Sequence, residues 1–148
     1  MYFPDFFFSI FRPMVALIKR LSGSKIFPII WTLLTIGLLC LPGKVIPGLG
    51  LFGIKHLDKL AHIVLFGGFV LLWGLYSWQR KKLRFDWLFA LGGITILSIA
   101  LGIAMEYIQV NFIPNRSFDT WDIWADVVGS VLIMFILIRF GRRLGLVV

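Results

Sequence analysis

Four apolar segments, separated by short polar or glycine- and proline-rich stretches, dominate this chain of 148 residues. They cover residues 26–41, 57–78, 87–110 and 120–138. A helix needs about 20 apolar residues to cross a bilayer core, and only the first segment is clearly shorter than that. Because 59% of the residues are hydrophobic and 15% are charged, a soluble fold would have too little polar surface to cover itself. The sequence predicts an all-α integral membrane protein with four transmembrane helices in a membrane domain at 26–140.

The N-terminal segment, residues 1–25, differs from the four apolar segments. Its apolar run at 6–18 is interrupted by Arg12 and Pro13 and is too short to cross a membrane. No basic region precedes this run and no small-residue cleavage site follows it, so a signal peptide is not expected. We expect an interfacial helix or anchor here.

The basic residues predict the orientation of the chain. If the four spans alternate in direction, 11 of the 15 Lys and Arg residues lie on one side, within residues 12–25, 80–84 and 139–143. Lys and Arg are enriched in cytoplasmic loops, so both termini are expected in the cytoplasm, including a basic tail at 141–148. Five of the seven acidic residues lie on the other side: Asp58, Glu106, Asp119, Asp122 and Asp126. The polar cluster is therefore expected outside the cytoplasm.

The excess of Lys and Arg on the cytoplasmic side also explains the net charge of +8. The basic residues are grouped between apolar segments rather than along one amphipathic face, so we expect membrane lipids as partners and no nucleic acid. The single cysteine, Cys40, excludes an intramolecular disulfide and a cysteine-rich metal site. A homo-oligomer would enlarge the thin core of four helices, although no motif specifies one.

Polar residues are predicted to meet at one membrane level, where the second span starts, the third ends and the fourth starts. Asp58 and His62 are four residues apart and share one helix face. Glu106 and Gln109 are three residues apart on the last turn of the third span. This spacing predicts a pocket opening to the outer surface. The alternative for His62 is a hydrogen bond to Asp58 with no further role.

Three aspartates, Asp119, Asp122 and Asp126, form a single stripe at the start of the fourth span. Asp119 is a candidate helix N-cap, which would place Asp122 at the third helical position, where the helix dipole favours a negative charge. Asp126 lies one turn deeper and needs another partner. Capping therefore explains two of the three.

Glu106 lies near a helix C-terminus, where the dipole disfavours an anion. A salt bridge from Glu106 to Arg116 or Lys59 is the main structural alternative to a role in a binding site. Arg116 itself has the alternative of an ordinary surface charge. Six glycines in the spans are expected to allow close helix packing: Gly67, Gly68, Gly92, Gly93, Gly102 and Gly129.

Together these motifs resemble the VanZ-like family of small bacterial membrane proteins, over residues 26–140. They are DKLAH at 58–62, EYIQ at 106–109, the run Asn115-Arg116-Ser117, and Asp119 or Asp122 ahead of Gly129. The family usually has an Asp followed four residues later by an Asn, whereas this chain has Asp122 and Asp126. The extra carboxylate requires compensation by a metal ion, a proton or Arg116.

The resemblance implies a multi-pass protein of the bacterial inner membrane. The family's type member is associated with low-level resistance to the glycopeptide teicoplanin. An effect on teicoplanin susceptibility is therefore an expectation from the resemblance alone, and the family implies no particular reaction.

One hypothesis is a membrane enzyme that acts on a lipid-linked phosphate or a related envelope precursor. Arg116 would bind a phosphate oxygen, and His62, oriented by Asp58, or Glu106 would be the general base. Carboxylates would hold Mg²⁺, Mn²⁺ or Ca²⁺, with Glu106, Asp122 and Asp126 as candidate ligands. The candidate catalytic residues are Asp58, His62, Glu106, Arg116, Asp122 and Asp126. The candidate substrate-binding residues are Lys59, Gln109, Asn115, Ser117 and Asp119.

Three alternatives stay open. The pocket would hold a lipid or an amphipathic antibiotic without chemistry, or the charges would form an ionic lock between helices. Intramembrane carboxylates also mark transport pathways. The charged residues nevertheless stop at one side, and only residues such as Thr95 and Ser98 are polar in mid-membrane.

Overall fold

The computed structural model describes residues 20, 22–42, 57–80, 83–114 and 116–140. Within them the chain is helical and contains no strand. The helices are α1 (Ile26–Leu39), α2 (Leu57–Arg80), α3 (Arg84–Phe112) and α4 (Thr120–Phe140). The predicted all-α class and the four predicted helices are confirmed. The interfacial helix predicted at the N-terminus and the tail at 141–148 lie outside the described residues, apart from the last few positions before α1.

Three of the four helices have the length and composition of membrane spans. Helices α2, α3 and α4 contain 24, 29 and 21 residues and are apolar enough to cross a bilayer. Helix α1 has 14 residues, a length of about 21 Å, which is less than the roughly 30 Å of a hydrocarbon core. The first predicted span is thus a shorter apolar helix.

Helix α2 lies at the centre of the bundle. It packs most extensively against α4, then against α3, while α1 packs mainly on α2. Trp31 of α1 lies over Gly68 and donates its indole N–H to the Leu65 carbonyl at 2.9 Å. Near the end of the bundle where α2 ends and α3 begins, buried Trp87 of α3 donates its indole N–H to the Gly74 carbonyl at 3.0 Å. Trp31 thus fills the space that Gly68 leaves open, and each tryptophan donates to a backbone carbonyl of α2.

The outer surface of the bundle is apolar. Large side chains such as Phe89 and Ile96 of α3 and Phe135 of α4 are exposed along the lengths of the helices. A continuous apolar exterior of this kind is unusual for a soluble monomer and typical of a surface that contacts lipid. Together with the helix lengths, it indicates a membrane protein.

The expectation of close packing is confirmed at four of the six glycines and wrong at two. A Cβ atom at Gly67, Gly68, Gly102 or Gly129 would meet atoms of another helix. A Cβ atom at Gly92 or Gly93 would have nothing within 4 Å, because these two residues face away from the neighbouring helices.

The tightest helix crossing joins α2 and α4. A Cβ atom at Gly129 would overlap the carbonyl oxygen and Cα of Ile63, and one at Gly67 would lie 3.3 Å from the Gly129 carbonyl oxygen. Since these are backbone atoms, the two helices would have to separate to admit a side chain. Small residues at this crossing bring the polar ends of α2 and α4 together.

We therefore expect Gly129→Ala to lower the free energy of unfolding by about 1–3 kcal/mol, the usual cost of overpacking. The matched control is Gly93→Ala, which meets no neighbour and gains helix propensity, so its stability should be equal or higher. Thermal unfolding of the detergent-solubilised variants measures both effects. Equal losses in the two variants would contradict the close crossing.

Candidate functional site

The start of α2, the end of α3 and the start of α4 meet at one end of the bundle, as their antiparallel order requires. At this end the structure groups Lys59, His62 and five carboxylates into a polar cluster. Its carboxylates are Asp58, Glu106, Asp119, Asp122 and Asp126. The sequence pattern predicted this convergence, whereas the individual pairings differ from those expected.

Lys59 lies at the centre of the polar cluster. Its Nζ atom is 2.7 Å from Asp119 Oδ2, 2.8 Å from Asp122 Oδ1 and 3.3 Å from Asp58 Oδ2. One ammonium group therefore links α2 to α4 and to the residue that precedes α4. Sequence analysis placed Lys59 among the substrate-binding candidates and did not predict this central position.

The acidic side chains whose oxygens converge differ from the predicted metal-ligand candidates. Among the described residues, the acidic group with oxygens within 4.8 Å of one another consists of Asp58, Asp119 and Asp122. The predicted candidates contact different partners: Glu106 contacts the Asp119 N–H, Asp122 contacts Lys59, and Asp126 contacts His62. The Lys59 ammonium lies among the three oxygens that do converge and supplies the positive charge that they require.

His62 pairs with Asp126 on α4 and not with Asp58. The His62 Nδ1 atom lies 2.8 Å from Asp126 Oδ1, and these residues are 6% and 2% exposed. The expectation that Asp58 orients His62 is wrong: Asp58 lies one helical turn further out, where its carboxylate contacts Lys59. A buried carboxylate that accepts from Nδ1 fixes the orientation of the imidazole ring.

The other ring nitrogen of His62 faces Asp122. The distance from Nε2 to Asp122 Oδ2 is 3.9 Å, which is too long for a hydrogen bond. Gly102 of α3 makes room for this arrangement, since a Cβ atom there would overlap the Asp126 carboxylate. A glycine on α3 thus allows a carboxylate of α4 to reach a histidine of α2.

Glu106 is 3% exposed and only half of its carboxylate is satisfied. Oε1 accepts a hydrogen bond from the backbone N–H of Asp119 at 3.3 Å. Oε2 is buried and has no hydrogen-bond partner in the described part of the chain. The salt bridge to Arg116 or Lys59, which was the structural alternative for Glu106, is absent among these residues, and Lys59 is engaged by three aspartates.

Arg116 lies in the loop between α3 and α4 and is half-buried. Its Nε atom is buried and makes no hydrogen bond to any described residue. Ser117 is exposed next to it, and Asn115 lies outside the described residues. Among the predicted site residues that the structure describes, Arg116 and Glu106 are the two with buried polar atoms that still need a partner.

Gln109, a predicted substrate-binding residue, makes a structural contact. Its side-chain amide is buried and donates to the Leu39 carbonyl at 2.8 Å, which ties the end of α3 to the end of α1. One backbone carbonyl at the end of α1 is thereby satisfied.

Asp119 combines a cap with an ion pair. Its Oδ1 atom accepts from the Trp121 N–H at 2.9 Å, which confirms the predicted N-cap, and its Oδ2 atom accepts from Lys59. The hydrogen bond from Lys59 is the main reason that the pKa of Asp119 lies below its ordinary value of 3.8. Capping alone therefore does not explain this residue.

A buried pair of hydroxyl groups lies one turn deeper than Asp126. Ser98 of α3 and Ser130 of α4 are 2.9 Å apart between their Oγ atoms. Sequence analysis named Ser98 as a polar residue in mid-membrane but missed its partner. The signal was present, because Ser130 follows Asp126 by four residues and shares its helix face.

Comparison of the chain with protein-family models, curated proteins and solved structures found no match. The motifs at 58–62 and 106–109 and the aspartates of α4 all contribute to the polar cluster.

The Asp119–Lys59 pair predicts a pH dependence that Asp119→Asn removes. Asparagine keeps the helix cap but loses the charge. Because the pKa of Asp119 is lowered by folding, the pair contributes its full stability above pH of about 4, and this contribution is lost as the pH falls through the lowered pKa. Chemical unfolding at several pH values should show wild type more stable at neutral pH, with a difference that shrinks in acid. A difference independent of pH would contradict the pairing.

Proposed function

We propose that this chain is a multi-pass bacterial inner-membrane protein of the VanZ-like type that binds the headgroup of a cell-envelope lipid or lipid-linked phosphate precursor in the polar cluster. The observation that carries the proposal is the buried Glu106 carboxylate, whose Oε2 atom has no partner among the described residues. A buried ionisable group at the end of an apolar bundle is costly unless a partner satisfies it. A lipid headgroup at the membrane boundary is such a partner.

Arg116 is the second residue that supports the proposal. A guanidinium group suits phosphate because it presents planar, paired N–H donors. The buried Nε atom of Arg116 has no partner in the described residues, and no carboxylate among them forms an ion pair with this side chain. In the proposal Arg116 binds the phosphate of the lipid.

An apolar groove between α1, α2 and α3 supports a lipid rather than a free phosphate. Its volume is about 320 Å³, and it is lined by Thr32, Phe69, Trp73, Ile94, Leu97 and Leu101. Phe69 and Trp73 follow His62 by 7 and 11 residues, which are close to whole turns of α2, so all three share one face. The groove thus lies about two turns of α2 beyond His62 along the bundle. We assign an acyl chain of the same lipid to it.

His62 gives the site the means for acid–base chemistry. Asp126 holds the imidazole through Nδ1, so that Nε2 is the nitrogen that faces Asp122. In an enzyme His62 would exchange a proton with the bound lipid, and Asp126, not Asp58, would position it. Catalysis and simple binding are two forms of the proposal, and the lipid product distinguishes them.

The proposed orientation places the polar cluster outside the cytoplasm and both termini inside. The excess of basic residues at the other end of the bundle supports it. At that end the described part of α2 and α3 carries Arg80 and Arg84.

A structural role is the second candidate function, because Lys59 bridges carboxylates of α2, of α4 and of the residue before α4. In that case the cluster is an ionic lock that holds the bundle together. The two candidates differ in whether substitution changes lipid binding or only stability.

The test is native mass spectrometry of the detergent-purified full chain with a phospholipid and with diacylglycerol of the same acyl chains. We expect saturable retention of the phospholipid only, weakened about tenfold by Arg116→Gln, since charge-assisted hydrogen bonds to the phosphate are lost. Arg80→Gln is the matched control, because Arg80 lies at the other end of α2 and stacks on Tyr76.

Equal retention of both lipids, or no effect of Arg116→Gln beyond a lower unfolding temperature, would contradict headgroup binding and favour the lock. Analysis of the phospholipid after prolonged incubation separates the two forms of the proposal. A changed headgroup that requires His62 indicates an enzyme, and an unchanged lipid indicates a binding protein. Teicoplanin susceptibility of cells expressing wild type or Arg116→Gln tests the effect implied by the family resemblance.

A further inference from the structure

We infer that the headgroup held at this site carries a primary ammonium group beside its phosphate, with Glu106 accepting a hydrogen bond from the ammonium and Arg116 binding the phosphate. This inference rests on the proposed function and names its substrate class, an aminophospholipid. It follows from the charge of the site, the unsatisfied carboxylate oxygen and the position of Arg116.

Negative charge exceeds positive charge in and beside the polar cluster. Five carboxylates face two permanent cations, Lys59 and Arg116, and one ionisable imidazole, His62. Buried charges require compensation, so a ligand that adds only a negative phosphate would increase the imbalance. A ligand that also brings a positive charge reduces it.

The free oxygen of Glu106 specifies the kind of positive group. Oε2 is buried and lacks a donor among the described residues, so it needs an N–H or O–H group and not merely a nearby charge. A primary ammonium offers three N–H donors. Lys59 demonstrates the same chemistry within the chain, because its ammonium is held by three carboxylates at 2.7–3.3 Å.

A divalent cation fits Glu106 less well than an ammonium does. Ions such as Mg²⁺ and Ca²⁺ take several oxygen ligands at once. The acidic oxygens that converge among the described residues surround Lys59, and Glu106 is not one of that group. A single free oxygen suits a hydrogen-bond donor.

Arg116 lies close enough to act on the same headgroup. It precedes Asp119 by three residues, and the Asp119 N–H donates to Oε1 of Glu106. Three residues of extended chain span about 10 Å at most, and the long arginine side chain shortens the gap to the ligand. Glu106 and Arg116 therefore offer a negative and a positive group on either side of the same short segment, and the inference assigns them to the ammonium and the phosphate of one headgroup.

The experiment uses wild-type protein and a set of lipids with identical acyl chains. Native mass spectrometry compares phosphatidylethanolamine, its N-methyl and N,N-dimethyl forms, phosphatidylcholine and phosphatidylglycerol. We expect phosphatidylethanolamine to bind about tenfold more tightly than phosphatidylcholine, which keeps the positive charge but has no N–H donor. We also expect it to bind more tightly than phosphatidylglycerol, which lacks the charge.

Two variants assign the preference to its residues. Glu106→Gln should remove the preference for phosphatidylethanolamine while phosphatidylglycerol still binds, and Arg116→Gln should weaken all the phospholipids. Asp86→Asn is the matched control, because Asp86 is an exposed carboxylate at the other end of α3.

Equal binding of phosphatidylethanolamine, phosphatidylcholine and phosphatidylglycerol would overturn the inference and leave headgroup binding intact. Retention of a divalent ion that depends on Glu106 would also overturn it. If no phospholipid binds better than diacylglycerol, the proposed function fails and the inference fails with it. The methylated lipids require no substitution, so the result holds even if Glu106→Gln unfolds.

Discussion

The arrangement of this bundle depends on one ammonium group held by three carboxylates. Lys59 engages Asp122 of α4, Asp119 before α4 and its own neighbour Asp58. With Lys59 satisfying the outer aspartates, Asp126 is left to pair with His62 one turn deeper. Glu106 is then without a cation among the described residues, and this is why it becomes the position at which a ligand is proposed to bind.

Helix packing and the polar cluster depend on each other. The Gly129 and Ile63 backbones touch, which brings α4 against α2 close to the level where His62 meets Asp126. Gly102 leaves space on α3 for the Asp126 carboxylate. A side chain at either glycine would separate the groups that form the cluster. The small residues therefore support both the fold and the site.

The elements and their polar ends were predictable, because long apolar segments define the helices and their alternation defines which ends meet. The pairings were not, because they depend on the depth and rotation of each helix. The four-residue spacing predicted that His62 pairs with Asp58. In the structure His62 pairs instead with Asp126, which lies at the same depth on the neighbouring helix. Glu106 accepts a hydrogen bond from the Asp119 backbone N–H instead of pairing with a cation. Gly92 and Gly102 lie in similar apolar stretches of α3, yet of these two only Gly102 faces another helix.

The most direct test of this account is a double-mutant cycle on Lys59 and Asp122. This ion pair joins α2 to α4, with 2.8 Å between Lys59 Nζ and Asp122 Oδ1. The free energy of unfolding is measured for wild type, Lys59→Met, Asp122→Asn and the double variant, with Lys25→Met as the exposed control. The account predicts a coupling free energy of about 1 kcal/mol or more between the two residues. If the loss of stability in the double variant equals the sum of the two single losses within about 0.3 kcal/mol, the ammonium and the carboxylate do not interact. That result would contradict the central pairing.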